Sequence, residues 1–158
     1  MNKAPATAAT RLLKQKGVPV EVRLYDYVDH GGTGRAAQEL GVDEHAVVKT
    51  LVFEDDAKRP FLVLMHGDRE VSLKELAREI GVKTVAPCSP EAAQRHTGYQ
   101  VGGISPLGTR KALPVYAEKT IFDLPVILVN AGKRGALAVL DPAKLRDLLP
   151  VTEVAAGR

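Results

Sequence analysis

The chain has 158 residues, of which 45% are hydrophobic and 26% charged, the composition of one globular domain spanning 1–158 with a substantial core. Its net charge of +3 permits an anionic ligand or a local nucleic-acid contact, and its single cysteine excludes an internal disulfide and a cysteine-based zinc site. The N-terminal apolar run is too short for a signal peptide and no segment reaches the ~20 apolar residues of a membrane-spanning helix, so we expect a cytoplasmic protein without a membrane partner.

The elements of the first half are predicted from hydrophobic spacing and from the glycines that interrupt it. Helices show apolar residues three or four apart, whereas strands alternate apolar and polar residues or are continuously apolar. In chain order the predicted elements are a helix over 5–16, a strand over 18–27, a helix over 34–40 capped by Thr33, and an antiparallel hairpin of strands 46–53 and 60–66.

The second half begins with two helices that have clear start signals, a capping box in "SLKE" (72–75) and the cap-proline-acid run Ser89-Pro90-Glu91. The predicted elements are helices ending at Ile80 and near His96, strands over 113–119, 125–130 and 136–140, and a last helix from Asp141 to Leu149. Strand pairs joined by short turns among helices predict an α+β fold. We expect a mixed, largely antiparallel, barrel-like β-sheet surrounded by helices.

Lys49 is an unusual residue for an apolar strand. The two-residue period places it on one face together with Val47, Leu51 and Phe53. Such a lysine either lies near the strand end and extends its ammonium group into water, or it points into a pocket and holds an anion or a developing negative charge. The pattern alone leaves both interpretations open.

The stretch "TGYQVGGISPLG" (97–108) contains four glycines and a proline but no acid, histidine or cysteine. Gly102 and Gly103 can adopt backbone angles closed to other residues and let a ligand approach their peptide groups. Ser105 precedes a proline, which disfavours a nucleophile elbow, but its hydroxyl can donate to a ligand. The loop is interpreted either as a tight connection or as a backbone cradle for an anion or a carbonyl oxygen.

A second glycine-rich stretch, "GTGRAA" (32–37), fits a relaxed dinucleotide-binding pattern. Three features count against that interpretation. Asp29-His30-Gly31 separates the preceding strand from the glycines, the following helix is short, and the next strand turns back as a hairpin. We therefore favour a loop with a helix cap.

The histidines, the single cysteine and the "GKRG" turn are each explained more simply by a structural role than by a catalytic one. The four histidines show no metal-binding spacing, and Asp29 next to His30 is a weak metal candidate, so we expect no metal and no cofactor. Cys88 is interpreted as a small buried apolar residue rather than a nucleophile. "GKRG" (132–135) is predicted to be a hairpin turn, with a phosphate clamp as the alternative, and the amide of Asn130 can reach a ligand from the preceding strand end.

Three segments together, "VKTL" (48–51), "TGYQVGGISPLG" and "GKRG", resemble the YbaK/ProX family, free-standing relatives of the editing domain inserted in bacterial prolyl-tRNA synthetases. The similarity extends over nearly the whole chain and is strongest to the Cys-tRNA(Pro) deacylases. It implies a hydrolase that cleaves the ester of a mischarged tRNA in trans, with the substrate's own thiol or ribose hydroxyl assisting. The implied partners are the 3′ end of an aminoacylated tRNA and a prolyl-tRNA synthetase.

The resemblance also implies site residues, carried over position by position. Lys49 and the backbone of Gly102 are expected to be catalytic, the first holding the terminal nucleotide and the second contacting the aminoacyl group. The predicted substrate-binding residues are Tyr25, Thr50, Gly103, Ser105 and Asn130. Asn130 departs from the serine that is frequent at this position of the family.

Two alternative functions remain open from the sequence. The first is a deacylase of the same family that acts on Ala-tRNA or Ser-tRNA, a choice that depends on the size of the pocket. The second is a non-catalytic nucleotide-binding module, for which "GTGRAA" is the best support.

Overall fold

The computed structural model describes residues 4–158 as an α+β fold of two β-sheets with helices packed around them. Its helices are α1 Ala8–Gln15, α2 Gly32–Leu40, α3 Leu73–Ile80, α4 Pro90–Thr97 and α5 Ala143–Leu148, with short 3₁₀ turns at Glu44–Ala46 and Lys119–Asp123. None of the helices in this range is long and apolar enough to cross a membrane.

Local sequence signals set the ends of most helices. The side chains of Ser72 and Ser89 accept hydrogen bonds from backbone N–H groups three residues on, as the cap signals predict. Three helices end at a glycine in the left-handed conformation, which relieves the strain that a Cβ would create there: Gly41, Gly81 and Gly98.

The larger sheet has five strands in the order β4-β2-β3-β5-β8. Strands β2 and β3 form the predicted antiparallel hairpin, β4 pairs antiparallel with the end of β2, and β5 and β8 continue the sheet as parallel neighbours. Their bounds are β2 Val48–Asp55, β3 Pro60–His66, β4 Val85–Pro87, β5 Val115–Glu118 and β8 Val151–Val154.

The smaller sheet is antiparallel and has the order β1-β7-β6, from β1 Val22–Leu24, β6 Ile127–Lys133 and β7 Ala136–Leu140. One parallel bridge between Val47 and Leu128 joins it to the larger sheet. The prediction of a mixed, largely antiparallel arrangement is confirmed. Across residues 4–158 the strand pairing does not close into a barrel, so the barrel-like part of the prediction is not confirmed.

The core lies on both faces of the β2–β3 hairpin, because alternate residues of a strand point to opposite sides. Val48 and Val52 belong to the main aliphatic cluster, whereas Leu51 and Phe53 pack into a second cluster against α3. This division is the one that the two-residue period predicts. Burying each such side chain stabilises the fold by roughly 1.5–3 kcal/mol.

Some sequence predictions of elements are wrong. The strand predicted over 18–27 is only Val22–Leu24, because only these residues pair with β7. Thr33 does not cap α2; its hydroxyl lies 2.8 Å from Glu44 Oε2 and 3.1 Å from the carbonyl oxygen of Gly67. Strands β4 and β8 were not predicted, since each is short and pairs with a strand that is distant in sequence.

Candidate active site

A cavity of about 990 Å³ opens where one edge of β2 lacks a partner strand. On this edge β4 pairs only with Phe53 to Asp55, and the bridge to β6 reaches only Val47. The Cys88 N–H closes one end of the gap by donating to the Val52 carbonyl at 2.9 Å. All seven residues from Val47 to Phe53 line the cavity, so it reaches both faces of the strand.

Lys49 and Thr50 enter the cavity from opposite faces of β2. Lys49 is half-buried and forms no salt bridge with any carboxylate among residues 4–158. The Thr50 hydroxyl oxygen is shielded from solvent and has no hydrogen-bond partner in the described part of the chain. A buried hydroxyl without a partner costs ~1–3 kcal/mol, so a ligand whose acceptor reaches the Thr50 hydroxyl recovers that energy.

The inner side of the glycine-rich loop 97–108 is held by its own hydroxyl groups. Burial raises the pKa of Tyr99 to about 12, so the phenol keeps its proton and donates to the Leu107 carbonyl at 2.6 Å. The Ser105 hydroxyl is fully buried and accepts a hydrogen bond from the Leu107 N–H at 3.2 Å. These contacts make the loop a rigid unit before any ligand binds.

Gly102 lies on the outer side of the same loop and faces the cavity. Its φ of +93° is in the region that favours glycine, and a Cβ there would lie 2.6 Å from Tyr27 Oη. The Gly102 N–H donates to no acceptor within residues 4–158. The loop therefore presents an exposed peptide group to the same cavity that Lys49 and Thr50 line.

The turn 132–135 packs directly against the glycine-rich loop. Arg134 Nε donates to the Val101 carbonyl at 2.9 Å, and a Cβ on Gly103 would lie 2.8 Å from the backbone nitrogen of Arg134. Gly103 is therefore required by the close approach of two backbones. It is buried and stands outside the cavity lining.

Asn130 connects these two segments through both ends of its amide group. Its Oδ1 accepts from the N–H groups of Gly132 at 2.7 Å and Lys133 at 3.1 Å, at the bulge where the pairing of β6 with β7 shifts register. Its Nδ2 donates to the Gly102 carbonyl at 3.3 Å. The asparagine thus holds the carbonyl of Gly102, whereas the peptide that carries the Gly102 N–H is held by Arg134 through the Val101 carbonyl.

Tyr25 lines the cavity next to the end of β1. Burial raises the pKa of its phenol above the ordinary value of 10.0, and the neighbouring Tyr27 raises it further. The group is therefore a protonated hydrogen-bond donor at neutral pH. The structure places five of the predicted site residues on one cavity: Tyr25, Lys49, Thr50, Gly102 and Asn130.

The remaining predicted site residues, Gly103 and Ser105, support the loop from behind and do not line the cavity. Sequence reasoning missed two residues that do line it, Tyr27 and Arg134. Arg134 lies in "GKRG", which the turn pattern brought to attention as a possible clamp, but nothing in the sequence relates it to Tyr27.

Ionisable groups in the cavity provide no ready nucleophile from the chain. Burial raises the pKa of the Cys88 thiol to about 11, and the nearby Glu54 raises it too, so the thiol stays protonated at neutral pH. Asp29 and His30 also line the cavity, and both are exposed. No cluster of three or more metal-ligating side chains exists among the described residues.

The structure is inconsistent with a dinucleotide fold at "GTGRAA". Strand β1 before it belongs to the smaller sheet, whereas β2 after it belongs to the larger one, so the two strands do not form a parallel βαβ unit. The first residues of α2 line the same cavity as Lys49.

The sequence of residues 32–148 matches the profile of the aminoacyl-tRNA editing domain family. The chain belongs to this family. EbsC of Enterococcus faecalis, a proposed Cys-tRNA(Pro)/Cys-tRNA(Cys) deacylase, is 32% identical to this editing domain over 145 residues, which covers 90% of the chain and 87% of EbsC. The family resemblance read from the sequence is confirmed.

Two further relatives extend the comparison. The proline–tRNA ligase of Levilactobacillus brevis is 30% identical over 97 residues, which covers 61% of the editing domain but 17% of the ligase. A crystal structure described as a proposed trans-editing enzyme for prolyl tRNA synthetase has a TM-score of 0.85 at 24% identity, covering 98% of this chain and 99% of that one. At that identity the structural match shows a shared fold.

Proposed function

We propose that this editing domain hydrolyses the ester between a wrong amino acid and the terminal adenosine of a tRNA, with Cys-tRNA(Pro) as its substrate. The observation that supports the proposal most is the composition of one cavity. An unpaired ammonium group, an unpartnered hydroxyl and an exposed peptide N–H line it together: Lys49, Thr50 and Gly102.

The roles of the two catalytic residues follow from their charge and position. Hydrolysis of an ester passes through a tetrahedral intermediate whose oxygen carries a negative charge. The Gly102 N–H is the donor proposed for that oxygen. The Lys49 ammonium group, which has no described counter-ion, binds the phosphate or ribose of the terminal nucleotide and holds the ester in place.

The substrate supplies the attacking group in this proposal. The thiol of the esterified cysteine attacks the carbonyl carbon and forms a thiolactone, which water then opens to free cysteine, or the thiol or a ribose hydroxyl positions a water molecule that attacks that carbon directly. The bond between the carbonyl carbon and the ribose oxygen breaks, and that oxygen leaves as a hydroxyl after taking the proton of the attacking group. Cys88, whose thiol pKa is raised to about 11, does not provide the thiolate.

Three further residues bind and orient the substrate. Tyr25 and Thr50 donate hydrogen bonds to it from the two sides of the gap in the sheet, and Asn130 holds the Gly102 carbonyl so that the glycine-rich loop keeps its position at the cavity. The net charge of +3 is small for a chain that selects a tRNA on its own. We therefore propose that a prolyl-tRNA synthetase acts as its partner and supplies tRNA selection.

The test is a panel of tRNAs charged with cysteine, alanine, serine or proline, incubated with the wild type and with Lys49→Ala. We expect hydrolysis of Cys-tRNA(Pro) to be fastest and to fall by about 10²–10³-fold in the variant, while the melting temperature stays unchanged. Wild-type rates in Lys49→Ala would contradict the role of the lysine. Preference for an alanyl or seryl ester would remove the thiol-assisted step.

Two further variants test whether the substrate, rather than the protein, supplies the group that attacks or activates water. His30→Ala and Asp29→Ala remove two exposed groups of the cavity lining that could act as a general base, and a further carboxylate of the lining, Glu70, pairs with Arg158. Both variants should keep the wild-type rate on Cys-tRNA(Pro). A loss of more than about tenfold in either would place a base on the protein instead.

A further inference from the structure

Tyr27 and Arg134 form a cation–π pair at the wall of the cavity. The guanidinium carbon of Arg134 lies 5.0 Å from the centre of the Tyr27 ring, within the range of a cation–π contact. Arg134 forms no salt bridge with a carboxylate in residues 4–158, and its Nε donates to the Val101 carbonyl. The pair is thus pre-oriented and lacks a described counter-charge.

The pair lies directly beside the peptide that is proposed to bind the ester. A Cβ on Gly102 would be 2.6 Å from Tyr27 Oη and 3.1 Å from Arg134 Nε. In an aminoacylated adenosine, one ribose carries both the ester and the base. A ligand that has its ester at Gly102 therefore has its base within reach of this pair.

The neighbouring rim is apolar, which is unusual for an exposed surface. Val28 is 48% exposed and Val101 is 40% exposed, and both line the cavity. Val28 follows Tyr27 in the chain, and the carbonyl of Val101 accepts the hydrogen bond of Arg134 Nε, so each valine adjoins one member of the pair. An aromatic ring, a guanidinium plane and exposed aliphatic groups are the surfaces on which unpaired bases stack.

We propose that Tyr27 and Arg134 form the binding site for the base of the nucleotide that carries the ester. The inference rests on the proposed function and deepens it. Arg134 and the Tyr27 ring hold the flat base by stacking, and Val28 and Val101 cover its edge. Tyr27 and Arg134 therefore bind the base, while Lys49 and Gly102 contact the ribose and the ester.

The contacts of Arg134 favour a base over a phosphate. Phosphate sites usually combine several donors, whereas the neighbouring cation of the same turn, Lys133, is exposed and stands outside the cavity lining. Arg134 also directs its Nε to a backbone carbonyl and sits over a ring. Its guanidinium group therefore already lies against an aromatic ring.

The test compares two uncleavable ligands that differ only in the base: 3′-deoxy-3′-(cysteinylamino)adenosine and the same amide of the methyl riboside. Wild-type protein should bind the adenosine compound about tenfold or more tightly by calorimetry, the contribution of one stacked base. Tyr27→Leu should reduce this ratio towards one, while its affinity for the methyl riboside stays constant. Arg134→Ala should also reduce the ratio, and any loss of affinity common to both ligands measures the Val101–Gly102 peptide that Arg134 holds.

Matched variants separate stacking from charge and from structural damage. Tyr27→Phe keeps the ring and should keep the full ratio. Arg134→Lys keeps the positive charge but lacks the planar guanidinium group, so it should lose most of the preference for the adenosine compound. Lys133→Ala removes a neighbouring cation outside the cavity and should behave as the wild type.

Each remaining outcome counts against the base site. An equal loss of affinity for both ligands in Arg134→Ala would show that the arginine does not contact the base, and a loss seen only when a 5′-phosphate is added would show a phosphate contact. A wild type that binds both compounds equally, or neither, also overturns it. The amides are not cleaved, so their binding tests the base site alone. The deacylation assay tests the proposed hydrolysis, and either proposal can fail while the other holds.

Discussion

Two polar regions at the open end of the same hairpin differ in how their hydrogen-bonding groups are satisfied. In the cavity, Lys49, Thr50 and the Gly102 N–H have no described partners. At the end of β3, buried His66 uses both ring nitrogens, and Glu118 on the neighbouring strand uses both carboxylate oxygens.

This difference separates a site for a ligand from a device that holds the fold. Glu118 accepts from the N–H groups of Ala156 at 2.7 Å and Gly157 at 3.1 Å and so anchors the end of the chain. His66 lies 2.7 Å from the Thr120 hydroxyl and 2.8 Å from the His45 carbonyl. Groups satisfied inside the protein contribute to stability, whereas groups left open beside a cavity can bind substrate.

The largest expected effect is on activity, from Gly102→Ala. The added methyl group meets Tyr27 Oη and enters the cavity, so deacylation should fall by about 10²–10³-fold in a mischarged-tRNA assay. Gly98→Ala is the control. Gly98 also has a positive φ, but its Cβ meets only Arg110 atoms at 3.5 Å or more and it does not line the cavity. Equal losses of activity in the two variants would assign the effect to backbone strain.

Glu118→Ala should produce the largest change in stability. It leaves the buried N–H of Ala156 and the part-buried N–H of Gly157 without an acceptor, so urea unfolding should show a loss of about 2–4 kcal/mol. Activity per folded molecule should not change. The comparison variant is Glu153→Ala, which breaks an exposed pair with Arg146 and should cost no more than about 1 kcal/mol. If both variants cost the same, Glu118 is not the anchor described.

The same substitution, threonine to valine, can be made once in the cavity and once in the satisfied interior. Thr50→Val removes a hydroxyl without a partner, so the free energy of unfolding should stay equal or rise slightly, while kcat/KM falls by about three- to tenfold. Thr97→Val removes a buried hydroxyl that donates to the Ala93 carbonyl and accepts from the Tyr99 N–H. That variant should lose about 1–2 kcal/mol. A destabilised Thr50→Val would mean that its hydroxyl has a structural partner.

The smallest expected effect is the pH dependence of stability at His66. Desolvation lowers the pKa of His66 below its ordinary 6.5 and outweighs the hydrogen bond to the His45 carbonyl and the charges of Asp68 and Glu118, which raise it. The folded protein therefore prefers the neutral ring. The stabilising contribution is complete above pH 6.5 and is lost as the pH falls through the lowered pKa.

The corresponding measurement is urea unfolding of the wild type and of His66→Gln between about pH 5 and 8. The wild type should become less stable towards acid, and the variant should show a smaller slope over the same range. His96, whose pKa burial also lowers, keeps part of the slope in both proteins. An unchanged slope in the variant would show that His66 does not titrate differently in the folded and unfolded states.

Sequence patterns identified most of the elements because their signals are local. Caps, glycine stops and hydrophobic periods predict the helices and the two hairpins, and the same period assigns Val48 and Leu51 to opposite faces. The strands that were missed, β4 and β8, depend on partners far away in the chain. Their pairing depends on which strand edges are free after the hairpins form.

The candidate site shows the same division. The sequence could single out Lys49, Thr50 and the glycine-rich loop as candidate site residues. A lysine in an apolar strand and four glycines in twelve positions are chemically unusual. Only the tertiary structure shows the gap in the sheet that forms the cavity around these residues. It also shows the contact between Tyr27 and Arg134 and the burial of Ser105. Composition and spacing determine what a segment can form, whereas contacts between distant segments decide which polar groups are satisfied and which remain for a ligand.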